Sequence, residues 1–246
     1  MPGKINNSNW NETKTGDIAA VQTGPFGSQL HKKDYVAVGT PIVTVEHLGQ
    51  RKMKRQNLPC VSEADRKRLS KYTLEYGDLV FSRVGSVDRC SWVGESEDGW
   101  MFSGRCLRVR PNDPSKIYHK YLYYFFTLES TKEFVRSIAV GATMPSINTK
   151  LLSEVPVVFP NIEEQQKIGD TLSAIDDRIE SNTKINHHLA VTSATDSSPD
   201  MRRGKRVSRN SAKRRFSFIR SNRFSTIGAT THKKPLRAAS VGIATG

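Results

Sequence analysis

Ile168, Leu172, Ile175 and Ile179 recur at spacings of four, three and four, a period that belongs to an α-helix and to no strand. Such positions share one stripe on a helix, whereas a strand would scatter them over both faces. Asn161, directly after Pro160, is placed to cap this helix. Glu163 and Glu164 fall in its first turn, where the dipole favours carboxylates. The same register continues through Asn182 and Asn186 to Leu189. A helix over 163–189 is roughly 40 Å long at about 1.5 Å per residue. Its stripe can pack on its own domain or on a second helix, and the pattern alone leaves both open. Asn at two seam positions favours the second, because a buried Asn sets register and partner number at some cost in stability.

Upstream of Pro160 the chain has a different texture, with short β-like runs set among turns. "IAAVQ" (18–22) leads into "TGPFGS", where two glycines and a proline exclude a regular element. "TPIVTVEHL" (40–48) has strand composition, and "EYGDLVFSRVG" (75–85) is a Gly-Asp turn followed by Leu79-Val80-Phe81. "GWMFSGRCLRVRP" (99–111) alternates Leu107 and Val109 with Arg108 and Arg110, the period of a strand with one wet face. "KYLYYFFTLESTKEFVRSIA" (120–139) predicts a helix whose apolar face holds Leu122, Phe125, Phe126 and Leu128, with a break near Ser130-Thr131. "VPVVF" (155–159) predicts an edge-like strand. The expected fold class is α+β. A mixed-sheet domain over 1–160 is followed by a helical arm over 161–189 and a basic, disordered tail over 190–246.

The tail governs how the charge is read. The formal net charge is +14, and residues 190–246 hold thirteen Lys/Arg against two Asp/Glu, leaving residues 1–189 nearly balanced. Net basicity therefore says little about what the folded part binds. The tail contains no Glu, Trp or Tyr and no sustained period. It reads either as a non-specific phosphate-binding arm or as the product of a shifted reading frame, and the break in mid-heptad favours the latter.

Several function classes are excluded at this level. No apolar run is long enough to span a membrane, and the N-terminal residues lack a secretory signal, so a cytoplasmic protein is expected. Cys60, Cys90 and Cys106 form no CxxC pair, and the six histidines show no metal-ligand spacing. No nucleophile elbow, phosphate-cradling loop or dinucleotide fingerprint is present. "PDMRRGK" (199–205) has a nuclease-like spacing but no strand to mount it, and is rejected.

What remains is a set of loops that pair turn residues with hydrogen-bonding or cationic side chains. "GSQLHKK" (27–33) carries Lys32 and Lys33, "GQRKMKRQN" (49–57) carries Arg51, Lys52, Lys54 and Arg55, "FSRVGSVDR" (81–89) carries Arg83 and Arg89, and "GATMPSINTK" (141–150) carries Ser146 and Asn148. Arg, Asn and Gln can bond base edges in the major groove, while Lys, Ser and Thr serve phosphates. The plain alternative is that these are solvated loops and that Arg83 and Arg89 pair with Asp78 or Asp88.

Four segments, in order, resemble the specificity subunit of type I restriction-modification systems. They are "GDIAAVQTGPFGSQLHKKDY", "EYGDLVFSRVGSVDRCSWV", "GWMFSGRCLRVRP" and "GATMPSINTKLLSEVPVVFPNIEEQQKIGDTLSAIDDRI", which together span roughly residues 10–189. The resemblance implies a non-catalytic chain in which a target-recognition domain reads half of a bipartite double-stranded DNA sequence. A spacer helix follows it and docks the methyltransferase subunit. S-adenosylmethionine, ATP and Mg²⁺ are then expected on partner subunits, adenine methylation on the methyltransferase, and cleavage on a motor subunit reached indirectly. Lys32, Lys33, Arg83, Arg89, Ser146 and Asn148 become the candidate DNA contacts, and Ile168, Leu172, Ile175 and Ile179 the candidate helix–helix interface. One recognition domain is half of the usual architecture. A homodimer through the helix would present two identical readers and predict a palindromic, interrupted target. The competing reading is a truncated remnant that pairs through its helix without reading DNA.

Overall fold

The computed structural model describes residues 10–49 and 51–195. In chain order the regular elements are β1 (Asn11–Lys14), α1 (Thr15–Ile18), β2 (Ala19–Thr23), β3 (Tyr35–Val36), β4 (Thr40–Val43), β5 (Cys60–Val61), α2 (Glu63–Arg68), β6 (Leu79–Ser82), β7 (Cys90–Trp92), β8 (Met101–Phe102), β9 (Cys106–Pro111), α3 (His119–Thr127), α4 (Glu129–Ile138), α5 (Thr149–Ser153), β10 (Pro156–Phe159) and α6 (Ile162–Thr195). The architecture is α+β with a long C-terminal helix, as the sequence predicts.

The central sheet has the order β2-β9-β6-β7 and is antiparallel throughout. A second sheet, β3-β5-β4-β8, is mixed, because β4 and β8 run parallel. β1 pairs with β10, which ties the start of the domain to its last strand. Thr15, at the turn after β1, is fully buried, and its hydroxyl donates to the Val155 carbonyl at 2.8 Å.

The central sheet divides two cores, and its pleat assigns residues to them. Leu79 and Phe81 of β6, with Leu107 and Val109 of β9, face a core completed by Leu122, Phe125 and Phe126 of α3. Their neighbours Val80 and Cys106 face the opposite core, with Ile42, Val43, Met101 and Phe102 of the second sheet. Both faces of β9 are therefore covered, which overturns the wet face expected from its alternation. Arg108 is buried under that second sheet, with its guanidinium 5.8 Å from the Phe102 ring centre and Nη1 donating to the Thr73 carbonyl at 3.1 Å. An arginine can occupy a core position when backbone carbonyls receive its donors. Burial, more than neighbouring Arg110, pushes its pKa down. The same enclosure pushes the Cys90 and Cys106 thiols up to about 12, so neither is a ready nucleophile.

Other expectations shift at the edges. The strand expected over 40–48 stops at Val43, and the chain turns at Thr44, whose amide donates to His47 Nδ1 at 3.1 Å. A side-chain bond of this kind offers the backbone an alternative to the ladder. The "GWMFSGRCLRVRP" run is interrupted by the Ser103–Arg105 turn, which splits it into β8 and β9. The 120–139 helix breaks at Leu128, whose extended backbone (ψ 135°) separates α3 from α4 and leaves its side chain exposed. Thr131 lies buried inside α4. The helix expected to end at Leu189 runs on to Thr195, and the remainder of the basic tail, 196–246, lies outside the described residues.

Candidate nucleic-acid interface

Strand register decides which loops meet. Thr23 pairs with Leu107, Ser82 with Cys106 and Phe81 with Cys90. The segments after β2, before β9, after β6 and before β7 therefore leave the same end of the central sheet. There the Arg83 amide donates to the Arg105 carbonyl at 2.8 Å, and Arg83 Nη1 donates to the Gly104 carbonyl at 3.2 Å. The 140–147 loop joins them, with the Gly85 amide on the Pro145 carbonyl at 2.8 Å and the Ile147 amide on the Arg83 carbonyl at 2.9 Å. Three loops distant in sequence thus form one hydrogen-bonded rim.

Arg83, Arg89 and Ser146 lie on the segments of this rim, Asn148 directly follows it, and no hydrogen bond or ion pair ties Lys32 and Lys33 to it among the described residues. Among the described residues, the carboxylates offered as partners for Arg83 and Arg89 are taken by others: Asp78 by Arg110 and Asp88 by Arg136. Arg89 is exposed, and its aliphatic stem lies against Gly49. Lys32 and Lys33 are exposed on a 3₁₀ turn that leads into β3. Ser146 bonds its own loop, with its hydroxyl 3.1 Å from the Val140 carbonyl, and the Asn148 side chain caps α5 by accepting from the Leu151 amide at 2.8 Å. Arg105, exposed in the turn before β9, belongs to the rim although the sequence reading passed over it. Its signal was the Gly104-Arg105 turn inside a run read as continuous strand.

The 49–57 loop has a different destination. Arg51 Nη1 donates to Ser173 Oγ at 3.1 Å and its other nitrogen bonds Asp177, while Lys52 reaches Glu180 at 2.7 Å. Arg55 pairs with buried Glu97 at 2.7 Å. Lys184, then Lys52, lowers the Glu180 carboxyl to about 2. Arg51 and Lys52 thus fasten α6, while Arg55 is bound within the globular part.

α6 therefore docks through polar and small residues. Gln165 is fully buried, donating to the Lys116 and Pro160 carbonyls at 2.9 Å and accepting from the Tyr118 amide at 3.0 Å. A Cβ on Gly169 would stand 3.0 Å from the Tyr121 amide nitrogen, so the helix approaches α3 closely only because that side chain is missing. Asp170 takes Lys120 and the Tyr118 hydroxyl, and Asp176 takes the Tyr124 hydroxyl at 2.8 Å. Asp176 and Asp177 are thus both bonded to the globular part. The apolar stripe points elsewhere. Ile168 packs partly on the first core, but Leu172, Ile175 and Ile179 are 37%, 49% and 57% exposed, and Leu189 is 61% exposed. Ile185, off the seam and not singled out from sequence, is exposed as well.

Comparison with known proteins places this fold, with its docked helix, in a family. Residues 7–190 fit the family model described as the type I restriction modification DNA specificity domain. The chain belongs to this family. Among curated relatives, this specificity chain is 40% identical over 191 residues to the type I restriction enzyme MjaIX specificity subunit of Methanocaldococcus jannaschii, a match covering 76% of this chain and 42% of that protein. It is 28% identical over 123 residues to the HindI specificity subunit of Haemophilus influenzae, covering 49% of this chain and 27% of that one. The solved S subunit from M. genitalium superposes with a TM-score of 0.54 at 21% identity, covering 76% of this chain and 45% of that chain. The HsdS subunit from Thermoanaerobacter tengcongensis gives 0.54 at 16% identity and shares the fold. The specificity chain spans less than half the length of the relatives it matches. Among its described residues no His/Cys/Asp/Glu group could hold a metal, and no helix is long and apolar enough to cross a membrane.

Proposed function

We propose that this chain reads one half-site of a bipartite double-stranded DNA target and directs adenine methylation, and cleavage of unmodified DNA, by partner subunits. One observation carries the reading: α6 is held to its own domain by a polar face and leaves its apolar stripe uncovered. A bare stripe at heptad spacing is an unfinished helix–helix interface. It gives the recognition domain a place to meet a methyltransferase subunit or the helix of a second copy. The rim supplies the other half of the task, with Arg83, Arg89 and Arg105 free of carboxylate partners among the described residues. S-adenosylmethionine, ATP and Mg²⁺ belong on the partners in this scheme. Two copies joined through α6 would read the same half-site twice, giving a palindromic, interrupted motif.

Co-expression with the cognate methyltransferase subunit and mapping of methylated adenines across the host genome tests this. The expected result is one interrupted motif that disappears when Arg83 and Arg105 are both changed to Ala. Methylation without a motif, or none at all, would instead fit a remnant that pairs through its helix.

A further inference from the structure

The rim carries a feature that polar readout does not use. Phe26 is 57% exposed, Val140 is 64% and Met144 is 66%. Single exposed apolar residues are ordinary on protein surfaces. These stand on the same sheet end as Arg83 and Arg105, and large apolar tips beside unpaired cations are an unusual pairing. Phe26 is tied to that place by the turn it packs on. A Cβ on Gly104 would lie 2.8 Å from Phe26 Cβ and 2.5 Å from the Pro25 carbonyl, while the Gly104 carbonyl receives Arg83. The next residue, Gly27, adopts φ +62°, a conformation that favours glycine, and a Cβ there would meet nothing within 4 Å. The 140–147 loop is tied to β6 through Gly85 and Ile147. Phe26 follows β2, the 140–147 loop is tied to β6, and Arg105 immediately precedes β9, the strand that lies between those two.

We propose that Phe26 is an apolar wedge that enters a base step of the bound duplex, while Arg83 and Arg105 hold the flanking phosphates and Met144 bounds the same segment. This rests on the DNA-reading assignment above and adds the manner of reading. Inserted Phe, Leu or Met side chains unstack a step and bend the duplex, and the cost depends on the sequence being deformed. Steps that kink easily would then be favoured at a position the polar side chains never touch.

The test uses the full chain assembled with its methyltransferase subunit, on duplexes bearing the mapped motif with 2-aminopurine at each position in turn. Fluorescence is expected to rise at one step in the parent complex. Phe26→Ala should abolish that rise and weaken binding about tenfold. Phe26→Leu should retain much of both, since Leu serves as a wedge too. Fluorescence that stays quenched at every step in the parent overturns the wedge. So does an unchanged signal in Phe26→Ala, or a loss of binding on replacing thymine with uracil that equals the Phe26→Ala loss, which would mark a methyl contact. In those cases preference for the motif over a scrambled duplex persists. If the parent shows no such preference, the DNA-reading assignment falls as well.

Discussion

His119 opens α3 beneath the start of the arm, ringed by Tyr118, Tyr76 and Trp92 at centroid distances of 4.9, 5.0 and 5.6 Å. Its Nε2 is buried and finds no hydrogen-bond partner among the described residues. Burial first, then Lys120, pushes its pKa down to about 4. The folded state thus prefers the neutral ring, while the unfolded chain takes up a proton near pH 6.5. The sign follows: His119 costs nothing above pH 6.5 and destabilises the fold progressively as the pH falls towards 4. His119→Phe is expected to fill the aromatic site and flatten the fall in Tm over that window relative to the parent, by the equivalent of roughly 2 kcal/mol after allowing for partial exposure. Thermal melts across that window, parent against variant, measure it; equal slopes would remove His119 as the cause. Little of this was legible beforehand, because a lone His in "IYHKY" gives no sign of which rings surround it. Arg83 and Arg51 illustrate the same limit, since both are arginines in basic loops. Only strand register sends Arg83 to the rim, and only the fold brings Arg51 against α6.

At the scale of elements, α6 shows what a period reveals and what it hides. Its start at Asn161 and its stripe were readable, because helical spacing and caps are local properties, whereas its end was placed six residues short of Thr195. Which face would dock was not. Gln165, Gly169, Ser173, Asp176 and Glu180 follow a parallel register of polar or small residues that hydropathy reads as solvent-facing. Arg51 makes the decision at the middle of the helix. Its side chain is only 10% exposed, it bonds Ser173, Asp177 and Glu180, and its guanidinium lies 5.5 Å from the Trp92 ring centre. Removing it strands the buried Ser173 hydroxyl and forfeits the stacking on Trp92, a loss of about 2 kcal/mol, while exposed Asp177 returns to water. Arg51→Ala is expected to raise hydrogen exchange in α6 from Ser173 onward and leave the amides of β6 and β9 protected. Equal exchange in both regions would mean the arm is held by Gln165 and Gly169 alone. Gly169→Leu tests that second attachment: its side chain must displace the start of α3, so the same region should loosen even with Arg51 present.

For the whole molecule, one end of a sheet gathers the loops while the arm carries an uncovered stripe, so reading and assembly should fail separately. Leu172, Ile175 and Ile179 point away from both cores, and replacing them removes little burial within the chain. The triple change Leu172→Glu, Ile175→Glu, Ile179→Glu is therefore expected to leave Tm within a few degrees of the parent. On an interface between helices, the same three charges would have to lose their water on assembly, which is prohibitive without partners. The variant should thus fail to co-purify with the methyltransferase subunit and should sediment as a monomer. Phe26→Ala and the Arg83→Ala, Arg105→Ala pair should still assemble, the first with weakened methylation of the motif and the second with the motif lost. A triple variant that assembles normally would place the contact elsewhere on α6, where among the described residues Ile185, off the stripe, and Leu189, at its far end, are also exposed. A triple variant that melts far below the parent would instead mean the stripe is covered within the chain, and the division between reader and arm would not hold.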